Sequence, residues 1–182
     1  GTKSTIPDLQ WLKATGLTEW ITAQHRQGST VIGVCGGFQM LGRTIEDPLG
    51  VDSPQRAETG LALLPFDTVM QAEKTTETRR ARTAAGVSFA AYEIHVGTTT
   101  VDSHLPPFAT LDEGGRDGVR HGGVIGTYLH GALEHPDVCA EIFGVAPVDV
   151  RPKSDHYERL ADWFEAHARH LSEFDVFAEA VS

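Results

Sequence analysis

The sequence predicts an α/β domain whose sheet is parallel around one cysteine. Three observations carry that expectation. An apolar run, Val31-Ile32-Gly33-Val34, delivers Cys35 into paired glycines, and a short helical pattern through Phe38, Met40 and Leu41 follows. The middle of the chain is rich in Thr, Val, Phe and Tyr with no helical period, which indicates antiparallel strands. Helical patterns occupy both ends, and helices flanking strands in this order define a layered α/β architecture.

Taken in order, Pro7 to Ala14 predicts a helix, with proline in its first turn and Leu9 and Leu12 at helical spacing. Gly16 ends it. Thr18 is expected to cap a second helix through Trp20, Ile21 and Ala23, stopped by Gly28. The strand at 31–34 comes next, then a helix to about Arg43. Residues 60–71 and 75–101 alternate as strands of a meander. Asp112 to Gly123 holds five glycines among charges and is expected to be a turn-rich loop. Val124 to Tyr128 is a second buried strand, leading into Leu129-His130-Gly131. Pro136 to Phe143 is a short helix ended by Gly144. Asp155 to Leu171 is a longer one with Tyr157, Leu160, Ala161, Phe164 and Ala168 on one stripe. The whole of 1–182 is expected to be one domain.

Composition narrows the functional classes. The chain has 182 residues, 40% of them hydrophobic and 22% charged, which is ordinary for a globular domain. Its 15 Lys and Arg against 25 Asp and Glu leave a net charge of −10, so binding of nucleic acid by a basic surface is not expected. The one dense basic cluster, Arg79-Arg80-Ala81-Arg82, is expected to be a solvated strand or loop. No stretch approaches the roughly 20 apolar residues of a membrane span, and the N-terminus lacks a signal-peptide pattern. Cys35 and Cys139 are too few for a disulfide scaffold, and a reduced, cytoplasmic setting suits a free thiol. No His and Cys spacing matches a zinc site, so no metal is expected.

The Cys35 segment carries the chemistry. A strand turning sharply into a helix with Cys at the corner is the thiol form of a nucleophile elbow. The glycines permit the corner and let strand and helix approach. The helix N-terminus is expected to favour thiolate over thiol, and the Gly36 N–H can face a developing oxyanion. A buried structural cysteine in a Gly-rich turn is the alternative. A cysteine nucleophile needs a basic partner. His130 is the first candidate because it follows a buried strand, where α/β sites gather. His95 is the second, on a strand in which Glu93 and His95 share one face and Tyr92, Ile94 and Val96 the other. Glu93 and His95 could orient a site or line a polar seam. Gln39, one turn into the elbow helix, could hydrogen-bond a ligand or be an exposed helix residue.

Taken together, these segments resemble the class I glutamine amidotransferase domain, a flavodoxin-like fold, and within it the cobyric acid synthase (CobQ) branch. The resemblance rests on Gly1-Thr2-Lys3-Ser4-Thr5 with Asp8, Leu9, Trp11 and Leu12; on the elbow from Gly33 to Gly42; on Tyr92-Glu93-Ile94-His95-Val96-Gly97; and on Gly126-Thr127-Tyr128-Leu129-His130-Gly131. It implies hydrolysis of L-glutamine, with Cys35 attacking the side-chain amide, His130 moving the proton and Gln39 contacting the glutamine. The oxyanion hole would use backbone N–H groups of Gly36 and, in the opening loop, Gly1. Position 132 is Ala where many class I members place Glu, so a Cys–His dyad is expected, with Glu93 or Glu134 as possible orienting groups. The resemblance also implies an N-terminal synthetase domain that uses ATP and Mg2+ to amidate a corrinoid, adenosylcobyrinic acid a,c-diamide. That domain and the first strands of the fold would precede Gly1. No phosphate loop of the Gly-x-x-x-x-Gly-Lys-Ser/Thr form occurs in this chain. Other readings left open are the amidotransferase of a sister enzyme, acting on cobyrinic acid or the lipid II stem peptide; a Cys hydrolase of the same fold; and an inactive docking module.

Overall fold

The computed structural model describes residues 2–147 and 153–168. Contacts divide the chain into two compact units, residues 1–146 and 147–182. The first holds every candidate site residue named above. The second contributes one described helix, α5 (Lys153–Ala168), on which Tyr157, Leu160 and Phe164 are exposed. Residues 169–171, expected to continue that helix, lie outside the described residues. No described helix is long and apolar enough to cross a membrane.

The first unit opens with two helices, α1 (Thr5–Ala14) and α2 (Leu17–Arg26). Thr18 is not the cap expected from sequence. It lies inside α2 and is buried, whereas Gly16 occupies the N-cap position at φ 75°. That left-handed torsion suits glycine and lets the chain leave one helix and enter the next at once. Helix α1 starts two residues before Pro7, because Asp52 accepts hydrogen bonds from the N–H groups of Thr5 (3.0 Å) and Ile6 (2.7 Å). A cap supplied from a distant loop leaves no local signal.

Strand β1 (Val31–Val34) runs into α3 (Gly36–Leu41). Helix α3 ends before Arg43 because residues 60–64 close it. The N–H groups of Leu61, Ala62 and Leu64 donate to the carbonyls of Met40, Gly42 and Leu41, supplying partners that the last turn of a helix lacks. This employment is why 60–66 is irregular chain, not the strand expected there. Short strands β2 (Thr44–Glu46) and β3 (Ala57–Thr59), which the sequence did not reveal, precede the long hairpin of β4 (Asp67–Thr83) and β5 (Ser88–Thr100). The basic cluster lies on β4, with a register shift between Val69 and Lys74.

The expected loop at 112–123 contains strands. After β6 (Ala109–Leu111) come β7 (Arg116–Asp117) and β8 (Val119–His121), then β9 (Val124–Thr127) and β10 (Leu129–His130). The glycines fold these residues into tight turns between two-to-three-residue strands too short to show alternation. A 3-10 turn (Ala132–Glu134) and α4 (Pro136–Phe143) follow.

Two sheets result. One has the order β1-β9-β8, with β1 and β9 parallel as expected and β8 antiparallel to β9. The other has the order β10-β5-β4-β2-β3, with β6 on β4 and β7 on β6. Since β10 follows β9 after one residue, the second strand of the small sheet becomes the edge of the large one. That handover places the end of β1 beside β5. A core of Phe38, Leu41, Phe66, Val124 and Tyr128 lies under α3, and Ile6, Leu9, Met40, Ile45 and Met70 pack α1 against it.

Candidate active site

Cys35 occupies the corner between β1 and α3 at φ 55° and ψ −118°. It is one of only two non-glycine residues with positive φ among the described residues. Such a torsion costs on the order of 1–3 kcal/mol and persists only when its surroundings impose it. Here they do. The Cys35 N–H donates to the Thr127 carbonyl at 2.9 Å, extending the β1–β9 ladder, while its carbonyl accepts from Gln39 N–H at 3.1 Å to start the helix. The close approach of strand and helix depends on Gly33, where a Cβ would stand 2.5 Å from the Gly37 carbonyl oxygen.

The half-buried thiol donates to the Ile94 carbonyl at 3.2 Å. Burial pushes the Cys35 thiol up from its ordinary value. The Gly36 N–H and the charge of Lys74 act in the opposite direction without offsetting it. This corrects the expectation that the helix end alone would favour thiolate. With only six residues in α3 and the sulfur shielded from water, loss of solvation outweighs the local donor.

His130 lies on β10, opposite Tyr92 of β5 in the antiparallel register. The two rings stack at 5.0 Å with a 10° angle between planes. Its Nε2 is buried with no hydrogen-bond partner among the described residues. Tyr92 and Ile94 are two apart on β5 and so share a face, roughly 7 Å apart. The acceptor of the Cys35 thiol and the ring supporting His130 are therefore neighbours on one strand.

Gly36 is buried, and its Cα faces the opening segment. A Cβ there would meet the Thr2 methyl at 2.8 Å and Thr5 Oγ1 at 2.9 Å. The opening loop thus does reach the residue after the cysteine. Gly1 itself lies outside the described residues.

Gln39 is placed differently from the role expected of it. Only 2% of it is exposed. Its Nε2 donates to the Val96 carbonyl at 2.9 Å, and its Oε1 accepts from Thr5 Oγ1 at 3.1 Å. Both ends of the amide are employed in tying α3 to α1 and β5, because the side chain points inward from a helix packed on three sides.

Glu93 and His95 face away from Tyr92 and Ile94, as alternation predicts. Their carboxylate and Nε2 are 2.8 Å apart, and Glu93 also accepts from Arg79 Nε at 2.8 Å. Burial pushes the Glu93 carboxyl up, but His95 and Arg79 together hold it below its usual range. Nδ1 of His95 faces the Gly97 carbonyl at 3.0 Å, and the ring stacks on Tyr128 at 3.8 Å. With its carboxylate engaged by Arg79 and His95, Glu93 belongs to this seam and not to His130. The pair lines a cavity of about 570 Å³ together with Lys74, Asp117 and Tyr128. Cys35 and His130 are not in its wall.

Two buried titratable groups, Tyr128 of the expected buried strand and Asp117 of the expected loop, were not singled out from the sequence. Tyr128, pushed up to about 12 by burial, bonds Thr99 at 2.5 Å. Asp117 is 6% exposed, accepts from the Thr127 hydroxyl and the Tyr128 N–H, and is raised by burial to about 6. Nothing in a Gly-rich, charged stretch signals that one of its carboxyls is interior. No group of three or more His, Cys, Asp or Glu comes together to hold a metal among the described residues.

The CobB/CobQ-like glutamine amidotransferase domain, as a sequence family, matches residues 1–138. A cobyric acid synthase of Rhizobium etli is 46% identical over 134 residues, covering 72% of this chain and 28% of that protein. One from a Caulobacter species is 39% identical over 165 residues, covering 89% of this chain and 34% of that protein. The chain thus spans about a third of the length of these relatives. Among solved structures, a glutamine amidotransferase aligns with a TM-score of 0.55 at 21% identity, covering 80% of this chain and 77% of the other. That likeness establishes the class I amidotransferase fold.

Proposed function

Because the chain belongs to the CobB/CobQ-like glutamine amidotransferase family, we propose that it is the ammonia-producing part of a cobyric acid synthase, hydrolysing L-glutamine through Cys35. The observation that carries the proposal is the strained Cys35 corner, held against the stretch of β5 whose Tyr92 supports His130.

The chemistry follows from that arrangement. His130 Nε2 takes the thiol proton, and Sγ attacks the side-chain amide carbon of glutamine. A raised thiol makes this transfer necessary, since little thiolate is present beforehand. The carbonyl oxygen gains negative charge as the tetrahedral intermediate forms, and the Gly36 N–H, with the opening loop at Gly1-Thr2, receives it. His130 returns the proton to the departing nitrogen, the carbon–nitrogen bond breaks and ammonia leaves. Water, deprotonated by His130, then cleaves the thioester to release glutamate and restore the thiol. This is a Cys–His dyad, the nucleophile elbow providing the cysteine.

Amidation of the corrinoid adenosylcobyrinic acid a,c-diamide would take place on the remainder of the parent protein, with ATP and Mg2+ acting there. The residues of this chain offer neither a phosphate loop nor a metal-ligand cluster among those described. The test is glutamate release by the chain, with covalent capture by a glutamine-analogue electrophile and mass mapping of the modified residue. Capture at Cys35 is expected. Capture at Cys139, or turnover by a Cys35→Ala variant, would overturn the reading.

A further inference from the structure

The opening loop is held in place by a carboxylate that neither the family chemistry nor the sequence motifs draw attention to. Asp52 lies in the loop between β2 and β3, 47 residues from Thr5, yet its two carboxylate oxygens accept separately from Thr5 N–H at 3.0 Å and Ile6 N–H at 2.7 Å. Ser4, at the N-cap position of α1, makes no side-chain capping bond. The first turn of α1 is therefore capped from outside.

The loop that supplies this cap is itself built around a buried carboxylate. Asp47, with 0% exposure, accepts from Val51 N–H at 2.8 Å and from Asp52 and Ser53 N–H at 2.9 Å each. Those bonds fix the backbone on which Asp52 stands. On the other side, the turn that Asp52 holds is the one in contact with the site. Thr5 Oγ1 bonds Gln39 of α3, and Thr2 and Thr5 press on Gly36. The connection runs without a gap: Asp47, the 51–53 backbone, Asp52, the first turn of α1, Gly36.

We propose that Asp52 is a positioning residue for the oxyanion-binding wall, fixing the Thr2–Thr5 segment against Gly36 so that the donors of the opening loop and of the elbow converge. The inference rests on the glutaminase reading above. An oxyanion donor acts only if it is held in place before charge develops, and a displacement of about 1 Å can cost two orders of magnitude in rate. A carboxylate suits the task because it accepts two separate N–H groups at once, while a neutral amide offers one acceptor.

The test compares Asp52→Asn, Asp52→Glu and a control, Gln10→Ala, with the wild-type chain. Gln10 ties the same helix to Glu58 at 3.0 Å but away from its first turn. Asp52→Asn is expected to lower kcat for glutamine at least about tenfold, as loss of an oxyanion contact does, with KM changed less than about twofold, and to raise amide hydrogen exchange at 36–39. Asp52→Glu, which keeps both acceptors but displaces them by a methylene, is expected to fold and to show the same changes more weakly. Gln10→Ala keeps its kcat. If both Asp52 variants match wild type in kcat and exchange, or if their kcat returns on cooling to where they are fully folded, the positioning role is overturned. A wild-type chain that releases no glutamate overturns the glutaminase reading instead. Exchange at 36–39 still decides whether Asp52 controls the elbow.

Discussion

The Cys35 thiol donates to the backbone carbonyl of Ile94 at 3.2 Å, so the candidate nucleophile rests on the middle of β5, 59 residues along the chain. In this resting arrangement the thiol proton is occupied and the sulfur is shielded. On the proposed mechanism, attack would require the sulfur to exchange that carbonyl for His130.

The first expectation follows directly. On the proposed reading, Cys35→Ala is expected to abolish glutamine hydrolysis, while a cobyric acid synthase carrying the substitution would still amidate its substrate from added ammonia. Steady-state rates with each nitrogen source check this. A glutamine-driven rate left intact would exclude Cys35 as the nucleophile.

Stacking on Tyr92 supports one face of the His130 ring. Tyr92→Ala should therefore lower kcat severalfold with little effect on stability, since Tyr92 is 47% exposed. His130→Ala should remove glutamine hydrolysis altogether. Parallel kcat and thermal-melt measurements on the two variants separate loss of the base from loss of its support.

Gly33 and Gly126 stand side by side in the parallel register of β1 and β9. A Cβ on Gly126 would penetrate the Phe38 ring, which also packs edge-on against Phe66 at 4.8 Å. Gly126→Ala should destabilise the chain by about 1–3 kcal/mol or more, the usual cost of overpacking. Denaturant titration measures it, and a change under about 0.5 kcal/mol would show that Phe38 can move aside.

Asp117 predicts a pH dependence of stability. Its folded value of about 6 lies above the ordinary 3.8, because burial disfavours the charge more than Thr127 and Tyr128 favour it. The folded state therefore binds this proton more tightly than the unfolded one. The resulting stability is complete below pH 3.8 and is lost as pH rises through 6. The loss amounts to about 3 kcal/mol at 1.36 kcal/mol per pKa unit. Relative to Asp117→Asn, which carries no such proton, the wild-type chain should lose most of that, about 2 kcal/mol, between pH 4 and 7. Parallel unfolding curves for the two proteins would contradict it.

Much of the architecture was legible in the sequence because local signals coincide with it. The apolar run into Cys35 and paired glycines marks a strand meeting a helix with no room for side chains between them. The alternation from Tyr92 to Val96 placed Glu93 and His95 on one face, and the structure keeps them there. Other elements were not legible. Strands β7 and β8 are too short to show a period. The role of residues 60–64 exists only because α3 ends beside them. Gln39 read as an amide that would contact a ligand or face solvent because its helix had no visible neighbours; α1 and β5 cover it.

By itself, the sequence determined the family and the corner at Cys35, since both reside in contiguous residues whose steric needs are local. Tertiary structure alone decided what surrounds that corner: Ile94 as the acceptor for the thiol, burial that raises the thiol instead of ionising it, and Asp52 as the cap of α1. Those relations join residues 47 to 59 positions apart. Solvent exclusion and hydrogen-bond partnership depend on which surfaces meet, and no local pattern of residue types records that.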